Sequence, residues 1–295
     1  MVKDPFKCKG ASMNNKSLMT EIEPGVLKKL QDTQIEIMKE IVRICEKHNL
    51  RYFLIYGTLI GAIRHKGFIP WDDDLDIGMP RDDYEKFIKV ANQELGSAYY
   101  LQSTEKEPYY WLPFIKIRKN NTIFEEPSFS RMPESVHKGI FVDIFPFDYV
   151  QENKGMFVHL QFILSKAICE TMYFKAGVYT DKQTIKYKKL FAVLNCLSMK
   201  SLSRIQNNIS KLQNKEGAEY LADFNSSRNY LAAIYPIHFF FPVAEGDFEG
   251  NSFKIPYKYH EYLTMVYGDY MKLPKEEDRV NHRTLRIVFD IQKNE

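Results

Sequence analysis

From Pro24 onward, apolar residues recur every three or four positions. Leu27, Leu30, Ile35, Met38, Ile41, Val42 and Cys45 mark one stripe of a helix that runs to Asn49 and covers a sheet face. The pattern then changes. Tyr52-Phe53-Leu54-Ile55-Tyr56 is a β-prone run, and Gly57-Thr58 lets the backbone turn sharply into a short helix whose first amides point outward. Gly67 and Pro70 end that helix. Leu75-Asp76-Ile77-Gly78-Met79 resumes as a strand, and its period of two puts Asp74 and Asp76 on one face with Leu75 and Ile77 on the other. Arg81 opens another amphipathic helix, with Tyr84, Phe87, Ile88, Ala91 and Leu95 inward and Asp82 and Asp83 beside the helix dipole.

Strands are expected over 99–102, 113–118 and 140–145. In the second, Ile115 and Ile117 alternate with Lys116 and Arg118, leaving one cationic face on which Lys116 could meet a phosphate. In the third, Asp143 stands alone in a run otherwise apolar from Ile140 to Phe147; such a carboxylate must be paired or bind a cation. Residues 151–220 turn helical, with Phe157, Leu160, Ile163, Leu164 and Ile168, then Leu190, Val193, Leu194 and Leu197, separated by Lys and Gln. His159, Gln161 and Lys166 argue against a membrane span there, while the aromatic and basic surface allows peripheral membrane contact. A short strand at 253–256 and a helix over 258–267, stopped by Gly268, precede a turn that folds back on the core.

Four regions result: a loosely ordered lead-in (1–23), a core (24–150), a helical insertion (151–225) and a C-terminal segment (226–295) that packs back. With 295 residues, 44% of them apolar, the chain can bury a substantial core. Its 41 basic and 38 acidic residues leave a net +3, and no Lys/Arg stripe suggests a nucleic-acid partner. The four cysteines (Cys8, Cys45, Cys169, Cys196) lie far apart, so neither a zinc site nor a disulfide framework is expected. The first residues lack the apolar core of a signal peptide, and the expected location is the cytoplasm, at the inner membrane face if the surface touches lipid.

Two carboxylates a strand repeat apart, facing a helix start that can accept an anion, suit a divalent cation shared with substrate phosphates. The motif Gly57-Thr58-Leu59-x-Gly61-Ala62-x-Arg64-x-x-Gly67-Phe68-x-Pro70-Trp71-Asp72-Asp73-Asp74-x-Asp76 resembles, nearly residue for residue, that of the LicD family of phosphocholine transferases, relatives of fukutin and of the nucleotidyltransferase superfamily. Gly139-Ile140-Phe141-Val142-Asp143-Ile144-Phe145-Pro146 looks like the family's second acidic strand, and Tyr267-Gly268-Asp269-Tyr270-Met271-x-Leu273-Pro274 followed by His282 looks like its C-terminal signature. The likeness covers about 25–150 and 245–285 and leaves the middle undiagnosed.

The resemblance implies an α+β fold: a nucleotidyltransferase-like mixed sheet flanked by helices, with a helical insertion. It implies that Asp74, Asp76 and Asp143 are catalytic residues and ligands of Mg2+ or Mn2+, with Asp143 also helping to deprotonate the acceptor hydroxyl. Gly57, Thr58, Arg64, Trp71, Lys116 and His282 are the expected substrate-binding residues. The expected partners are CDP-choline or a related CDP-alcohol and a glycan or lipid-linked sugar acceptor, with CMP released. Spacing alone does not separate this reaction from transfer of ribitol or glycerol phosphate, or from nucleotidyl transfer. Trp71, Tyr109, Tyr110, Trp111, Phe145 and Phe147 flank the acidic strands, and a quaternary ammonium is bound by aromatic faces. A scaffold that had lost turnover is the contrasting class; intact Asp74, Asp76 and Asp143 speak against it, because clustered like charges are costly without a cation.

Overall fold

A computed structural model of the chain describes residues 22–152, 155–178, 186–215, 217–226, 230–279, 281 and 284–291. In chain order the first half runs α1 (Pro24–Lys47), β1 (Phe53–Leu54), α2 (Tyr56–Arg64), β2 (Asp76–Pro80), α3 (Arg81–Glu94), β3 (Tyr99–Gln102), β4 (Ile115–Lys119), β5 (Ile123–Glu125) and β6 (Phe141–Val150). The second half runs α4 (Met156–Lys175), α5 (Lys188–Leu194), α6 (Met199–Ser210), β7 (Tyr220–Ala222), β8 (Ile234–Pro236), β9 (Ala244–Phe248), β10 (Asn251–Ile255), α7 (Tyr259–Tyr267) and β11 (Arg286–Val288).

The central sheet has the order β1-β2-β6-β4-β3, and β7 and β8 extend it from the far end of β6. The strands β2 and β6 are parallel, and every other pair is antiparallel. The sheet is therefore mixed and the class α+β, as expected. Helix α1 covers the sheet: Leu30, Met38 and Ile41 of the stripe read from the sequence are wholly buried, Val42 is half-buried, and Ile37 and Ile44, outside that stripe, are wholly buried as well. Burying each such side chain stabilises the fold by about 1.5–3 kcal/mol. Rings of Phe53, Phe147 and Phe240 close over β2, and at Gly78 they leave no room for a side chain: a Cβ would lie 2.6 Å from Phe53 and 2.7 Å from Phe147.

The insertion is anchored by cores of its own. Tyr110, Trp111, Phe129 and Met132 meet Ile168 and Met172 of α4 and Leu202 of α6, while Val158 and Phe162 pack with Phe224 and Ile234. The short strands β5, β8, β9 and β11 are not among those expected from the sequence, and two further differences have a plain cause. A strand, β7, lies inside the stretch read as helical, because three residues are too few to show a period. The first strand holds two residues instead of five, since α2 already begins at Tyr56, whose φ of 48° makes the turn. The lead-in at 1–21 and Cys8 lie outside the described residues; Cys45, Cys169 and Cys196 are free thiols. Among the described residues no helix is long and apolar enough to cross a membrane.

Candidate active site

Register brings the site together. Asp76 pairs with Asp143 across the parallel strands β2 and β6, and Asp143 pairs with Lys116 across β6 and β4. Residues opposite one another in adjacent strands share a face, so two carboxylates and an ammonium stand in a row. The Asp143 amide donates to the Leu75 carbonyl at 2.9 Å, tying the approach to β2 to the middle of β6. Lys116 Nζ lies 2.7 Å and 2.9 Å from the two Asp143 oxygens and 3.3 Å from the Phe141 ring centroid. At 2% exposure, it is committed to Asp143 and not to solvent, because β4 is an inner strand.

These charges are unbalanced. Burial, then the charges of Asp74, Asp143 and Asp72, holds the Asp76 carboxyl well above the usual carboxylate range, and Lys116 opposes them only in part. Burial likewise lifts Asp143 to about 6 against the pull of Lys116, with Glu126 and Asp74 pushing in the same direction as burial. Asp72, Asp73 and Asp74 each place one oxygen within 4.8 Å of the others, a spacing that fits a metal ion. Asp72 stood outside the expected ligand set; it belongs to the same acidic group. The loop that carries these acids is held from α1, where the Gln31 and Gln34 amides donate to the carbonyls of Asp72 and Asp73, each at 2.9 Å.

Helix α2 starts against this loop. A Cβ on Gly57 would lie 2.9 Å from Asp72 Oδ2, so glycine permits the carboxylate to approach the helix start, where it meets the positive end of the dipole. Thr58 is 1% exposed, and its hydroxyl accepts from the Asp76 amide at 2.9 Å; it therefore acts on β2, orienting the carboxylate strand. Tyr56 donates its hydroxyl to the buried Asp223, beyond β7, and packs edge-on against Phe145, which in turn meets Phe114 at 4.1 Å. At the far end of α2, Arg64 donates to His65 and to the Tyr270 carbonyl. Burial and the neighbouring Arg279 charge lower its pKa, while Arg279 lies 5.6 Å over the Trp71 ring. The C-terminal segment thus returns to the core, and Thr284 bonds the Glu125 carbonyl. His282 lies outside the described residues.

Of the flanking rings, Phe145 and Trp71 border the acids. Tyr110 and Trp111 belong to the core under the insertion, Phe147 to the main core, and Tyr109 is exposed. Gln31, Gln34, Glu126, Asp223 and Arg279 went unread in the sequence. A signal existed for the glutamines, which interrupt the apolar stripe of α1 at the spacing of its buried face.

Residues 49–194 match the family model described as LicD/FKTN/FKRP, nucleotidyltransferase domain. Over 270 residues the chain is 33% identical to the lipopolysaccharide cholinephosphotransferase LicD of Haemophilus influenzae, an alignment covering 87% of this chain and 95% of that protein. It is 28% identical over 124 residues to the ribitol 5-phosphate transferase FKRP of Mus musculus, covering 42% of this chain and 21% of that one. Likeness along almost the full length of the Haemophilus protein, with the acidic strands in register, means that the chain belongs to the LicD family of phosphotransferases.

Proposed function

We propose that the chain moves phosphocholine from CDP-choline to a sugar hydroxyl of a cell-surface glycan or its lipid-linked precursor, releasing CMP. The observation that carries this reading is the row Asp76, Asp143 and Lys116 across three adjacent strands, with Asp72 and Asp74 beside it. Mutually repelling hard oxygen donors, Asp143 buried and Asp72, Asp74 and Asp76 half-buried, are the donor set that Mg2+ or Mn2+ takes, so the residues fit the ion. Asp74, Asp76 and Asp143 would hold it, with Asp72 as a further oxygen donor. When bound, the cation offsets the charge of the donor diphosphate and of the departing phosphate.

The chain's own groups supply the rest. An acceptor oxygen attacks the phosphorus of phosphocholine, the bond from that phosphorus to the CMP oxygen breaks, and CMP leaves with the electron pair. The hydroxyl proton passes to the Asp143 carboxylate, whose position Lys116 fixes. Arg64 and Arg279 repel each other, and a phosphate between them would relieve that repulsion. Phe145 and Trp71, the half-buried rings that border the acids, are the ones assigned to a quaternary ammonium. Choline is preferred to ribitol because likeness to the cholinephosphotransferase spans nearly both chains, whereas likeness to the ribitol 5-phosphate transferase covers 42% of this one.

The test is CMP release from CDP-choline with Mg2+ and a sugar acceptor, run beside CDP-ribitol, CDP-glycerol and nucleoside triphosphates. Metal-dependent CMP release fastest from CDP-choline is expected. Faster release from another CDP-alcohol would correct the donor, and pyrophosphate release from a triphosphate would correct the reaction. No release from any of them would leave the scaffold reading.

A further inference from the structure

The outer side of the insertion is apolar where solvent would favour polar residues. On α4, Val158, Phe162, Ile168 and Met172 face inward, yet Met156 is 89% exposed and Phe157 and Leu160 are each 49% exposed. Ile163 and Leu164 continue the strip, half-buried. Leu212, 53% exposed, follows α6, and the adjoining Gln213 bonds the Gln161 side chain, which lays this turn against the first half of α4. Scattered exposed apolar residues are ordinary; a strip along one helix with a neighbour from the next is not.

Charge accompanies it. Residues 156–215 hold ten Lys/Arg against two Asp/Glu, a net +8 in a chain whose total is +3. Lys200 and Arg204 pair with Glu105, and Lys211 with Glu85, so those three bind the insertion to the core. Lys175, Lys186, Lys188, Lys189 and Lys215 are exposed, and Val193, on the same short helix as Lys188 and Lys189, is 71% exposed.

We infer that the outer face of α4 and α5 docks on an anionic lipid bilayer, with Met156, Phe157 and Leu160 entering the headgroup boundary and Lys188 and Lys189 meeting lipid phosphates. The apolar strip lies on the first turns of α4, while α5 packs beside its last turns, where Glu170 accepts from the Lys186 and Tyr187 amides and Phe174 meets Phe191; apolar side chains and lysines spaced along one helix are a pattern that interfacial helices use. Charge selects this occupant over others. With Glu105 and Glu85 counted against their partners the insertion still carries a net +6, so a second copy would set like charge against like, and residues 1–21 are themselves a net +2. Nothing in this inference depends on the identity of the donor.

The test is sedimentation of the full chain with vesicles of phosphatidylglycerol and phosphatidylcholine, and with phosphatidylcholine alone. Binding to the anionic vesicles should weaken about tenfold in neutral vesicles and in high salt. It should weaken by a similar factor in the double variant Met156→Asp/Leu160→Asp and, separately, in Lys188→Glu/Lys189→Glu. Both variants alter exposed side chains, so their melting temperatures and their CMP release with a soluble acceptor should match the parent. Three results would overturn the inference: no binding to anionic vesicles, binding indifferent to both variants, or a dimer that Met156→Asp dissociates.

Discussion

Asp143 and Asp148 lie on the same strand, and burial raises the pKa of both. Their partners differ. Arg81 donates Nε and Nη2 to the two oxygens of Asp148 at 2.7 Å and 2.8 Å, and its Nη1 reaches Asn207 of α6 at 3.2 Å. One acid meets one forked base, the charges cancel, and the pair locks the insertion to the start of α3. Asp143 meets a single lysine while Asp74, Asp76 and Glu126 add negative charge around it. A buried acid is therefore not by itself a site. The excess of like charge is what the proposed cation would offset, and it distinguishes the Asp143 end of β6 from the Asp148 end.

The comparison breaks most visibly at Asp76. Asp76→Asn should lower CMP release by roughly 10,000-fold, about 5 kcal/mol of transition-state stabilisation. Its melting temperature should stay level or rise, since a repelling charge is gone; marked unfolding would make Asp76 structural. Asp148→Ala should do the reverse. It leaves Arg81 buried without its carboxylate and should cost about 3–5 kcal/mol in urea unfolding, with CMP release per folded molecule nearly unchanged.

A smaller effect belongs to Tyr56, which links the two ends through Asp223. Tyr56→Phe leaves a fully buried carboxylate short of a donor and should cost about 2 kcal/mol. It should also raise KM for the donor if Tyr56 sets the start of α2. The smallest effect is a pH dependence at the entry to β6. His137 bonds Asn120 through Nε2 and accepts from the Gly139 amide at Nδ1, and burial, then the Arg118 charge, pushes its pKa from 6.5 down to about 4. Between those values the unfolded chain takes up a proton that the folded one refuses at His137, so this histidine's contribution to stability falls as pH falls from 6.5 to 4, opposite in sign to that of Asp143 and Asp76. The loss should be about 1–2 kcal/mol after allowance for partial exposure, and His137→Gln should flatten that part of the profile.

Much of this was legible in order along the chain. The alternation at 75–79 gave the shared face of Asp74 and Asp76, and a lone acid among Val142, Ile144 and Phe145 gave Asp143. Asp148 was not singled out, because its partner lies 67 residues away and no local pattern joins them. Lys116 was legible as a cation on the right face. Its burial was not, since that follows from β4 lying between β6 and β3. The helices of the insertion showed their period, but their outward apolar side appears only once α4 is seen packed on the other side.

The most direct test of the central claim is a Mn2+ titration followed by electron paramagnetic resonance, on the parent chain and on Asp76→Asn. Saturable binding in the parent, lost in a variant that keeps its circular dichroism spectrum, is the expected result. A folded Asp76→Asn that binds Mn2+ as tightly as the parent, or a parent that binds none, would contradict the account.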